Sequence, residues 1–548
     1  MTPNMISALE TASVRPEAGP SRLPSLFDIL GPVMVGPSSS HTAGVLRLGL
    51  MARGLFGNQA DAVEIGFFGA LTRTYKGHMS DSAIVAGLLG YSENSPQISQ
   101  ALNLAAEQGL TVAYKLEPDS ARNPNTVKLV LTQKNGISLT VVGISLGGGE
   151  IVVTELDGFP LGLRGHENGF ILVAGRELSG EEITSAGGVP LTSLVRTEKG
   201  SEVMYQAFTA DPLTQIPGEL KRLKGVRRLS LIPRVLDYDL VSSEPVCGSL
   251  AEAEHLCRVR KLSLSELAVL YEEKRSGLSP QRVFEMAAQR WEVMKASVDH
   301  GFSGPNRLLA GFAGGDDGAA MLRQSEKNSF SGPLLSRAVA GALAVMEQNG
   351  CMGCIVASPT AGSCGVMAGT LAALQALNGR DDEELIKALL GAALIGTVIS
   401  QRVPMSGALG GCQAEIGIAA AMAASALVTL AGGGPSKAIE ATALTLKNFL
   451  GLVCDPVAGP VEVPCIKRNA VGTASAFVHA DMALAGIKSV IPADEVISAM
   501  LNVQSLMPAS LRGTLEGGLP STKTGRELAL RWAEILGQKA RNCTSEVL

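Results

Sequence analysis

The sequence predicts a multidomain protein with an α/β N-terminal domain, a ferredoxin-like βαββαβ module and a mostly α-helical C-terminal domain. Three observations predict this class. Strand-like and helix-like segments are mixed in the first part of the chain, a βαββαβ order of segments follows, and apolar helices separated by glycines fill the remainder. A length of 548 residues suits about three domains of ordinary size.

The overall composition excludes several classes of function. The chain has 46 Lys and Arg residues against 51 Asp and Glu residues, and its net charge is −5. Because a mildly acidic protein does not attract phosphate backbones, we expect no nucleic-acid partner. Aromatic residues make up only 4% of the chain, which disfavours a base-stacking surface, and 46% hydrophobic residues exclude general disorder.

The N-terminus, the cysteine count and one apolar run indicate the compartment. Residues 1–23 are polar and unpatterned, so we predict a loose leader and no secretory signal. An odd count of nine cysteines then indicates a reducing compartment, and we expect the cytoplasm. The longest apolar run is 416–432. Its alanine content, with Glu415 at its edge and Gly417 inside it, predicts a buried core helix and no membrane span.

The first domain is predicted over residues 24–160. Helical periodicity indicates two helices in it, whereas alternation and β-branched residues indicate four strands. The turn Lys134-Asn135-Gly136 joins two of these strands as a hairpin. The predicted helices are 44–55 and 82–89, and the predicted strands are 62–68, 128–131, 138–144 and 150–156.

The second domain, the βαββαβ module, is predicted over residues 161–240. This order of elements is that of the ferredoxin-like fold, and a module of this length resembles an ACT domain, a regulatory unit that usually binds an amino acid. Its predicted segments are strand 170–174, helix 180–186, strands 191–198 and 202–209, helix 213–223 and strand 226–232.

The helical domain is predicted over residues 262–540, after a polar linker at 241–261 and before a tail at 541–548. Its segments are amphipathic or rich in alanine, and glycines separate them. The predicted helices are 264–273, 280–296, 335–348, 366–377, 383–400, 416–430, 436–449, 470–485 and 493–507.

Three cysteines lie in turns that contain glycine or proline: Cys412, Cys454 and Cys465. Thiolates are the ligands that iron–sulfur clusters require, and three of them on a four-iron cluster would leave one iron open to substrate. Their spacing, however, matches neither common ferredoxin pattern. On spacing alone, the set is better interpreted as three buried thiols that act as small hydrophobic residues.

Two polar stretches near the N-terminus contain candidate binding and catalytic groups. Ser38, Ser39 and Ser40 precede a predicted helix, where hydroxyls and free amides suit a carboxylate or a phosphate. By itself such a cluster is more often an ordinary helix cap. His78 follows Lys76-Gly77 and is a candidate general base, although a single loop histidine is more often merely exposed.

Two further turns could present amides and hydroxyls to an anion. Residues 358–365 are rich in glycine and hydroxyl groups and lead into a helix. Residues 123–126 form a similar turn, which also suits a plain connection. A second group of cysteines, Cys351, Cys354 and Cys364, is compact enough for zinc or redox chemistry, with buried core thiols as the alternative.

Several stretches together closely resemble the iron–sulfur-dependent L-serine dehydratases, also called L-serine ammonia-lyases. The similarity extends over nearly the whole chain from Leu26 onward, in the single-chain form of the family with fused β, ACT-like and α parts. The stretches that carry it are 31–44 (GPVMVGPSSSHTAG), 75–78 (YKGH), 123–126 (NPNT), 145–149 (SLGGG), 357–363 (ASPTAGS), 411–415 (GCQAE), 450–459 (LGLVCDPVAG) and 462–470 (EVPCIKRNA).

The resemblance implies a cofactor and a reaction. A [4Fe–4S] cluster would be held by Cys412, Cys454 and Cys465, without PLP. His78 would remove the α-proton of L-serine, the open iron would assist loss of the hydroxyl, and the aminoacrylate formed would hydrolyse to pyruvate and ammonia. His41 is implied as a second catalytic residue, either touching the substrate or supporting a residue that does. The residues expected to bind the amino acid are Ser38, Ser39, Ser40, Thr42, Asn125, Thr360, Gly362 and Ser363.

The resemblance also implies how the parts assemble. The first and the helical domains both contribute residues, so the site is expected at their interface, with a small amino acid as its ligand. ACT domains commonly pair side by side, so we expect a homodimer. In some relatives a terminal cysteine caps the open iron, but here the tail continues past Cys543 to Leu548.

The chain departs from the family pattern near the expected site. Asn123 stands where the family usually has histidine, and Leu409 where it usually has glutamate. The stretch before Gly314 lacks the usual serine-rich lead-in, and Cys354 and Met79-Ser80 also differ. Two alternatives therefore stay open: a lyase of the same chemistry acting on L-threonine, L-cysteine or a bulkier β-substituted amino acid, and a non-catalytic amino-acid or redox sensor.

Overall fold

The computed structural model describes residues 23–69, 71–117, 122–236, 244–327 and 329–545. The predicted leader, except for Leu23, and the last three residues of the predicted tail lie outside this part of the chain. The side chain of Cys543 also lies outside it, although the backbone there is helical.

Short helices and strands are mixed in the N-terminal region, as the sequence predicts. Both predicted helices and all four predicted strands are confirmed. Six elements were not predicted: the short elements Leu26–Ile29, Val33–Val35, Leu71–Thr74 and Phe159–Leu163, the helix Ala101–Glu107 and the strand Thr111–Glu117. This strand has an apolar or aromatic residue at every second position, so its sequence does contain the alternation of a half-buried strand. The elements are α1 (Leu26–Ile29), β1 (Val33–Val35), α2 (Val45–Phe56), β2 (Ala62–Phe68), α3 (Leu71–Thr74), α4 (Ser80–Leu89), α5 (Ala101–Glu107), β3 (Thr111–Glu117), β4 (Thr126–Thr132), β5 (Ser138–Gly147), β6 (Glu150–Leu156) and β7 (Phe159–Leu163).

All of these strands except β1 form one six-stranded sheet in the order β3-β2-β4-β5-β6-β7. β2 and β3 are parallel, and the other neighbours are antiparallel. β7 extends this sheet to Leu163, just past the domain boundary predicted at residue 160. α2 packs on β4, β5 and β6, and the polar turn before it lies against β5. The sheet thus supports the stretch that contains Ser38 to Thr42.

A second, four-stranded sheet follows. It consists of β8 (Gly169–Ala174), β9 (Leu191–Lys199), β10 (Glu202–Thr209) and β11 (Val226–Ile232), with α6 (Gly180–Gly187) after β8. The strands are antiparallel in the order β11-β8-β10-β9. The helix predicted at 213–223 is wrong: only a 3₁₀ turn, Gly218–Arg222, forms there. Pro217 lies inside the predicted helix, where its ring and missing N–H disrupt helical hydrogen bonding. The ACT-like assignment of this module stays a prediction.

The rest of the chain is helical, as predicted. Five elements were not predicted: Leu250–Arg260, Asp317–Ser325, Cys354–Val356, Gly407–Gly410 and Lys523–Ser545. The helix predicted from residue 470 begins earlier, at Cys465. The elements are α7 (Leu250–Arg260), α8 (Leu264–Ser276), α9 (Pro280–Phe302), α10 (Asp317–Ser325), α11 (Gly332–Gly350), β12 (Cys354–Val356), α12 (Cys364–Asn378), α13 (Asp382–Ser400), α14 (Gly407–Gly410), α15 (Ile418–Leu430), α16 (Pro435–Lys447), α17 (Cys465–Leu484), α18 (Ala493–Leu506) and α19 (Lys523–Ser545).

The linker predicted at 241–261 is partly wrong, because α7 occupies most of its described part. Ser249 caps this helix by accepting a hydrogen bond from the Glu252 amide, and Leu250, Ala253 and Cys257 are buried against the helical core. The segment was predicted as a linker because its composition is polar, but a helix that buries only one narrow face is expected to be mostly polar. α19 likewise continues into the predicted tail, to Ser545.

The longest apolar run forms the buried helix α15, as predicted. The segment Gln413–Leu430 is apolar and long enough to cross a membrane, but 83% of it is buried inside the protein. α15 packs against α13, α16 and α17. It is therefore surrounded by other helices of the same domain, which explains its apolar composition.

The N-terminal and helical regions are joined by backbone and side-chain contacts. β1 pairs with β12 in a two-stranded antiparallel sheet, with Val35 opposite Cys354. Arg275 of α8 is fully buried, donates to the Leu23 carbonyl oxygen at 2.9 Å and lies 3.2 Å from the Glu272 carboxylate. Glu272 in turn accepts from the Leu26 amide at 2.8 Å. These contacts hold the two regions in one arrangement around the cavity described next.

Candidate active site

Three cysteines from separate segments line one cavity. Cys412 lies between α14 and α15, Cys454 lies in the loop after α16, and Cys465 is the first residue of α17. The thiols of Cys412 and Cys454 and the carboxylate of Glu415 all lie within 4.8 Å of one another. The three thiols that the family resemblance implies as ligands thus line one cavity, although the close group contains Cys412 and Cys454 and not Cys465.

Burial and mutual proximity keep two of these thiols protonated. Contact with Cys412 and then burial raise the pKa of Cys454 well above 9.0, and burial followed by the charge of Cys412 raises the pKa of Cys465. Arg468 is the nearby cation: its Nη1 donates to Cys412 Sγ at 3.5 Å, and its Nη2 lies 2.8 Å from Asp455 Oδ1. Thiols in such a site ionise when a metal binds, because the metal supplies the missing positive charge.

Glycines leave room beside these ligand atoms. A Cβ on Gly407 would lie 2.9 Å from Cys454 Sγ and 2.6 Å from Glu415 Oε2. A Cβ on Gly362 would lie 3.3 Å from Glu415 Oε1. Soft thiolate donors around a space bordered by glycines suit an iron–sulfur cluster, whose ligands are cysteine thiolates.

Two histidines contact each other on the N-terminal side of the cavity. His41 Nδ1 and His78 Nδ1 are 2.6 Å apart, and His41 Nε2 lies 3.1 Å from Asn125 Oδ1. The side-chain nitrogen of Asn125 donates to the Ser145 carbonyl oxygen at 3.2 Å, which orients the amide. Because Asn125 Oδ1 can only accept, neutral His41 carries its hydrogen on Nε2, and its Nδ1 accepts from His78 Nδ1. Neutral His78 is then left with an unprotonated Nε2.

Both imidazoles are held in the neutral form. Burial lowers the pKa of His41, and the hydrogen bond with Asn125 offsets part of this effect. Burial lowers the pKa of His78 well below 6.5, and the neighbouring His41 lowers it further. A neutral imidazole with an unprotonated nitrogen is what a general base needs near pH 7.

The serines form the opening turn of the helix that leads to α2. Ser38 Oγ accepts from the His41 amide at 3.0 Å and lies 3.3 Å from Ser40 Oγ. Ser39 Oγ accepts from the Ala361 amide at 3.3 Å, so this turn touches the helical region directly. All three serines line the cavity, where their hydroxyls and the first amides of the turn suit an anionic group.

The other predicted binding residues differ in how they relate to the cavity. Gly362 lines it. Thr360 and Asn125 lie behind residues that line it: Thr360 donates to Glu415 at 2.9 Å, and Asn125 contacts His41. Thr42 and Ser363 do not line it: the Thr42 hydroxyl donates to the His78 carbonyl oxygen at 2.7 Å, and the Ser363 hydroxyl to the Ser358 carbonyl oxygen at 3.1 Å. These two hydroxyls are already engaged with the backbone and support the wall of the cavity.

Comparisons with known proteins agree with this division of the site. The family model "Serine dehydratase beta chain" matches residues 25–156, and the model "Serine dehydratase alpha chain" matches residues 259–520. L-serine dehydratase 2 of Escherichia coli (strain K12) is 30% identical over 515 residues, which cover 90% of this chain and 98% of that relative. The chain belongs to the serine dehydratase family.

Other members of the family have the two parts as separate chains. The probable L-serine dehydratase alpha chain of Bacillus subtilis (strain 168) is 45% identical over 280 residues, 51% of this chain and 93% of the relative. The beta chain of the same organism is 43% identical over 149 residues, 27% of this chain and 67% of the relative. The described residues that line the cavity of this serine dehydratase family member all lie within the two matched ranges.

The departures from the family pattern do not reach the cavity in the described part of this serine dehydratase family member. Asn123 Oδ1 accepts from the Asn125 amide at 3.0 Å, so it shapes the turn behind His41. The Leu409 side chain does not line the cavity, although its neighbour Ala408 does. The altered stretch before Gly314 is held by Glu462, whose carboxylate accepts from backbone amides there. These positions give no support to a different substrate.

Two residues that line the cavity, Glu415 and Arg468, lie in family-like stretches but were not predicted to have a role. Their only local signal is proximity to a predicted ligand: Glu415 follows Cys412 by one helical turn, and Arg468 follows Cys465 by the same spacing. Charged groups one turn from a ligand share its face of the helix. That rule could have identified both residues.

The second cysteine group does not form a metal site among the described residues. Cys351 donates to the Gln348 carbonyl oxygen, Cys354 is exposed on β12, and Cys364 is fully buried against Met346. Among the described residues, the close group of possible metal ligands is Cys412, Glu415 and Cys454, and it contains none of these three cysteines. The alternative of buried core thiols holds for Cys364, whereas Cys351 is half-buried and Cys354 is exposed.

Proposed function

We propose that the protein is an L-serine ammonia-lyase that converts L-serine to pyruvate and ammonia, with a [4Fe–4S] cluster on Cys412, Cys454 and Cys465 and without PLP. The observation that carries the proposal is that these thiols and the His41–His78 pair line one cavity between the two regions. The names of the relatives, L-serine dehydratase, point to the same substrate.

In this proposal His78 is the general base. Its Nε2 takes the α-proton of the substrate, while the hydrogen bond from its Nδ1 to His41 fixes the tautomer. Asn125 holds His41 through the bond to Nε2. This chain of contacts resembles the way other enzymes orient a catalytic imidazole through a second group. Positive charge formed on His78 is shared with His41 by the short contact.

The serine turn binds the substrate carboxylate. Ser38, Ser39 and Ser40 supply hydroxyls at the start of a helical turn, where the helix dipole favours an anion. When bound, the cluster supplies a Lewis-acidic iron that makes hydroxide an acceptable leaving group. Loss of the α-proton and of the β-hydroxyl gives 2-aminoacrylate, which tautomerises to an imine and hydrolyses to pyruvate and ammonia.

Close contact between the regions limits the entry of water. A Cβ on Gly77, next to His78, would lie 2.6 Å from the backbone of Gly459 in the cysteine loop. The loop that contains Gly513 also borders the cavity, and the Gly513 amide donates to the Cys454 carbonyl oxygen at 2.6 Å. Electrostatic interactions that stabilise charge during elimination are stronger where such packing excludes water.

The direct test is anaerobic. The cluster is reconstituted, and α-keto acid and ammonia release is followed with L-serine, D-serine, L-threonine and L-cysteine. Pyruvate and ammonia in equal amounts from L-serine, at a rate far above those of the other amino acids, are the expected result. A protein with the broad iron–sulfur absorbance but without turnover of L-serine would contradict the proposed substrate.

Gly407→Ala tests whether the space beside the thiols is needed. Gly407 begins α14, so alanine suits the backbone, but its Cβ would collide with Cys454 Sγ and Glu415. We expect much less iron per chain after reconstitution, with an unchanged far-ultraviolet circular dichroism spectrum. Gly434→Ala is the matched control, because a Cβ there meets nothing within 4 Å, and it should retain full iron content.

We also propose that residues 161–240 act as an ACT-like module that pairs in a homodimer. Support comes from the antiparallel order β11-β8-β10-β9 and from the edge strand β9, none of whose residues is fully buried. An unpaired edge offers backbone groups to a second sheet. Light scattering of the purified protein should give twice the chain mass of 56.7 kDa, and a stable monomer would contradict the pairing.

A further inference from the structure

Glu415 differs in charge from the other described residues that line the cavity. Of the described residues that line it, Glu415 has the only carboxylate and Arg468 the only guanidinium. Glu415 lies on the helical turn Gln413–Gly417, directly after Cys412. Its Oε1 accepts from the Thr360 hydroxyl at 2.9 Å, and its Oε2 lies 4.0 Å from Cys412 Sγ. The carboxylate therefore faces the space next to the thiols.

The space around this carboxylate is kept open by glycine. Gly362 lies beside Oε1 and Gly407 beside Oε2, and a Cβ on either would come within 3.3 Å or less of a carboxylate oxygen. The Gly407 amide also donates to the carboxylate. Side chains larger than hydrogen at these positions would fill the approach to Glu415. The arrangement leaves room for a small group that contacts the carboxylate.

The charge of Glu415 is not balanced by a directly paired cation in the described part of the chain. Arg468 lies 2.8 Å from Asp455 and donates to the Val453 carbonyl oxygen at 2.9 Å, so its charge is already offset. The direct hydrogen-bond donors to Glu415 are neutral: a hydroxyl, an amide and, at 4.0 Å, the Cys412 thiol. Burial accordingly raises the pKa of Glu415 to about 7. A carboxylate removed from water is costly unless a positive group pairs with it.

We propose that Glu415 binds the α-ammonium group of the substrate and thereby selects amino acids over the corresponding hydroxy acids. The proposal rests on the proposed function, because it assigns one more group of the same site. An ammonium group donates three hydrogens, and a charge-assisted bond to Glu415 would orient the substrate between the serine turn and His78. A hydroxy acid brings no positive charge and leaves the carboxylate unpaired.

The test uses the reconstituted holoenzyme with Glu415→Gln, an isosteric change that removes the charge. Anaerobic titration calorimetry measures binding of L-alanine and L-lactate, which differ only in ammonium against hydroxyl at the α-carbon and have no β-hydroxyl to lose. The parent protein should prefer L-alanine. The variant should lose about 10- to 100-fold of this preference, the effect of one hydrogen bond to a charged group. KM for L-serine should rise by a similar factor.

Iron and sulfide contents distinguish this role from metal ligation, since Glu415 lies within 4.8 Å of two thiols. Unchanged contents in Glu415→Gln are expected, whereas a loss like that of a cysteine variant would make Glu415 a ligand and overturn the proposal. The proposal would also be overturned if Glu415→Gln weakened the binding of L-alanine and of L-lactate equally, which leaves the preference for L-alanine unchanged. Glu440→Gln is the control. The Glu440 carboxylate accepts a hydrogen bond from the Ser489 amide, away from the cavity, so this variant should keep the parental preference for L-alanine.

Failure of this inference and failure of the proposed function give different results. If the parent protein prefers L-alanine, the variant loses that preference, and neither turns over L-serine, then the ammonium assignment holds and the proposed reaction is wrong. If L-serine is turned over and the preference is the same in both proteins, the reaction holds and the assignment of Glu415 is wrong.

Discussion

The Cys454→Ala protein is expected to bind far less iron than the parent after anaerobic reconstitution and to release almost no pyruvate from L-serine. Cys454 contributes one of the three thiols on the cavity, so its loss leaves Cys412 and Cys465. Clusters of this type depend on thiolate ligands, and the nearby Glu415 offers only a harder oxygen donor. Lewis-acid assistance is worth several kcal/mol, so the rate should fall by about a thousandfold or more.

The matched control for this change is Cys354→Ala. Cys354 is exposed on β12 and does not line the cavity, so iron content and turnover should equal those of the parent. Circular dichroism and thermal unfolding establish that both variants fold. Parental iron content and turnover in Cys454→Ala would show that this thiol is not a ligand and would remove the basis of the proposed cofactor site.

The His78→Gln protein is expected to keep its cluster and lose about 10²- to 10⁴-fold in kcat, the usual contribution of a positioned general base. Glutamine can still contact His41, but it has no basic nitrogen to take the α-proton. Iron content and the visible spectrum should match those of the parent, which separates this effect from loss of cofactor. His255→Gln is the control, because His255 is exposed on α7 and should leave kcat unchanged.

The pH dependence of the parent protein tests the same assignment. Burial and then His41 lower the pKa of His78 well below its ordinary value of 6.5. Because the base acts in its neutral form, kcat at saturating L-serine should hold as the pH falls to 6.5 and decline only as the pH passes through the lowered pKa of His78. The ratio kcat/KM also reports Glu415, whose pKa is raised to about 7 by burial, so kcat is the quantity that tests His78. A decline of kcat centred above pH 6.5, or parental turnover by His78→Gln with its cluster intact, would exclude His78 as the base.

Local patterns predicted the elements that have one clear apolar face. β2 and β6 have the predicted bounds, and the helices α2 and α4 end where glycine follows. The strand β3 was not predicted although its residues alternate. The pattern failed in α7, which buries only a narrow face and had been predicted as linker. It failed again at 213–223, where apolar spacing suggested a helix but Pro217 prevents one.

Most residues of the site could be predicted from the sequence, but their contacts could not. The motifs identify Cys412, Cys454 and Cys465 together with His41 and His78, since these stretches resemble a known family. Their roles as ligands and base stay predictions until the measurements above are made. Glu415 and Arg468 were given no role, although each follows a predicted ligand by one helical turn and so shares its face of the helix. The sequence also could not predict which hydroxyls reach the cavity. The hydroxyls of Thr42 and Ser363 donate to backbone carbonyl oxygens instead.

The sequence by itself determined the class of the protein, most of its helices and strands, and the residue types that its chemistry requires, because periodicity, turn residues and motifs are local properties of a chain. Only the tertiary structure decided that thiols from three segments and two histidines from another region line one cavity. It also decided the tautomer of His78, through the contacts of His41 and Asn125. Distances between residues remote in sequence depend on how whole domains pack, and no local pattern specifies that packing.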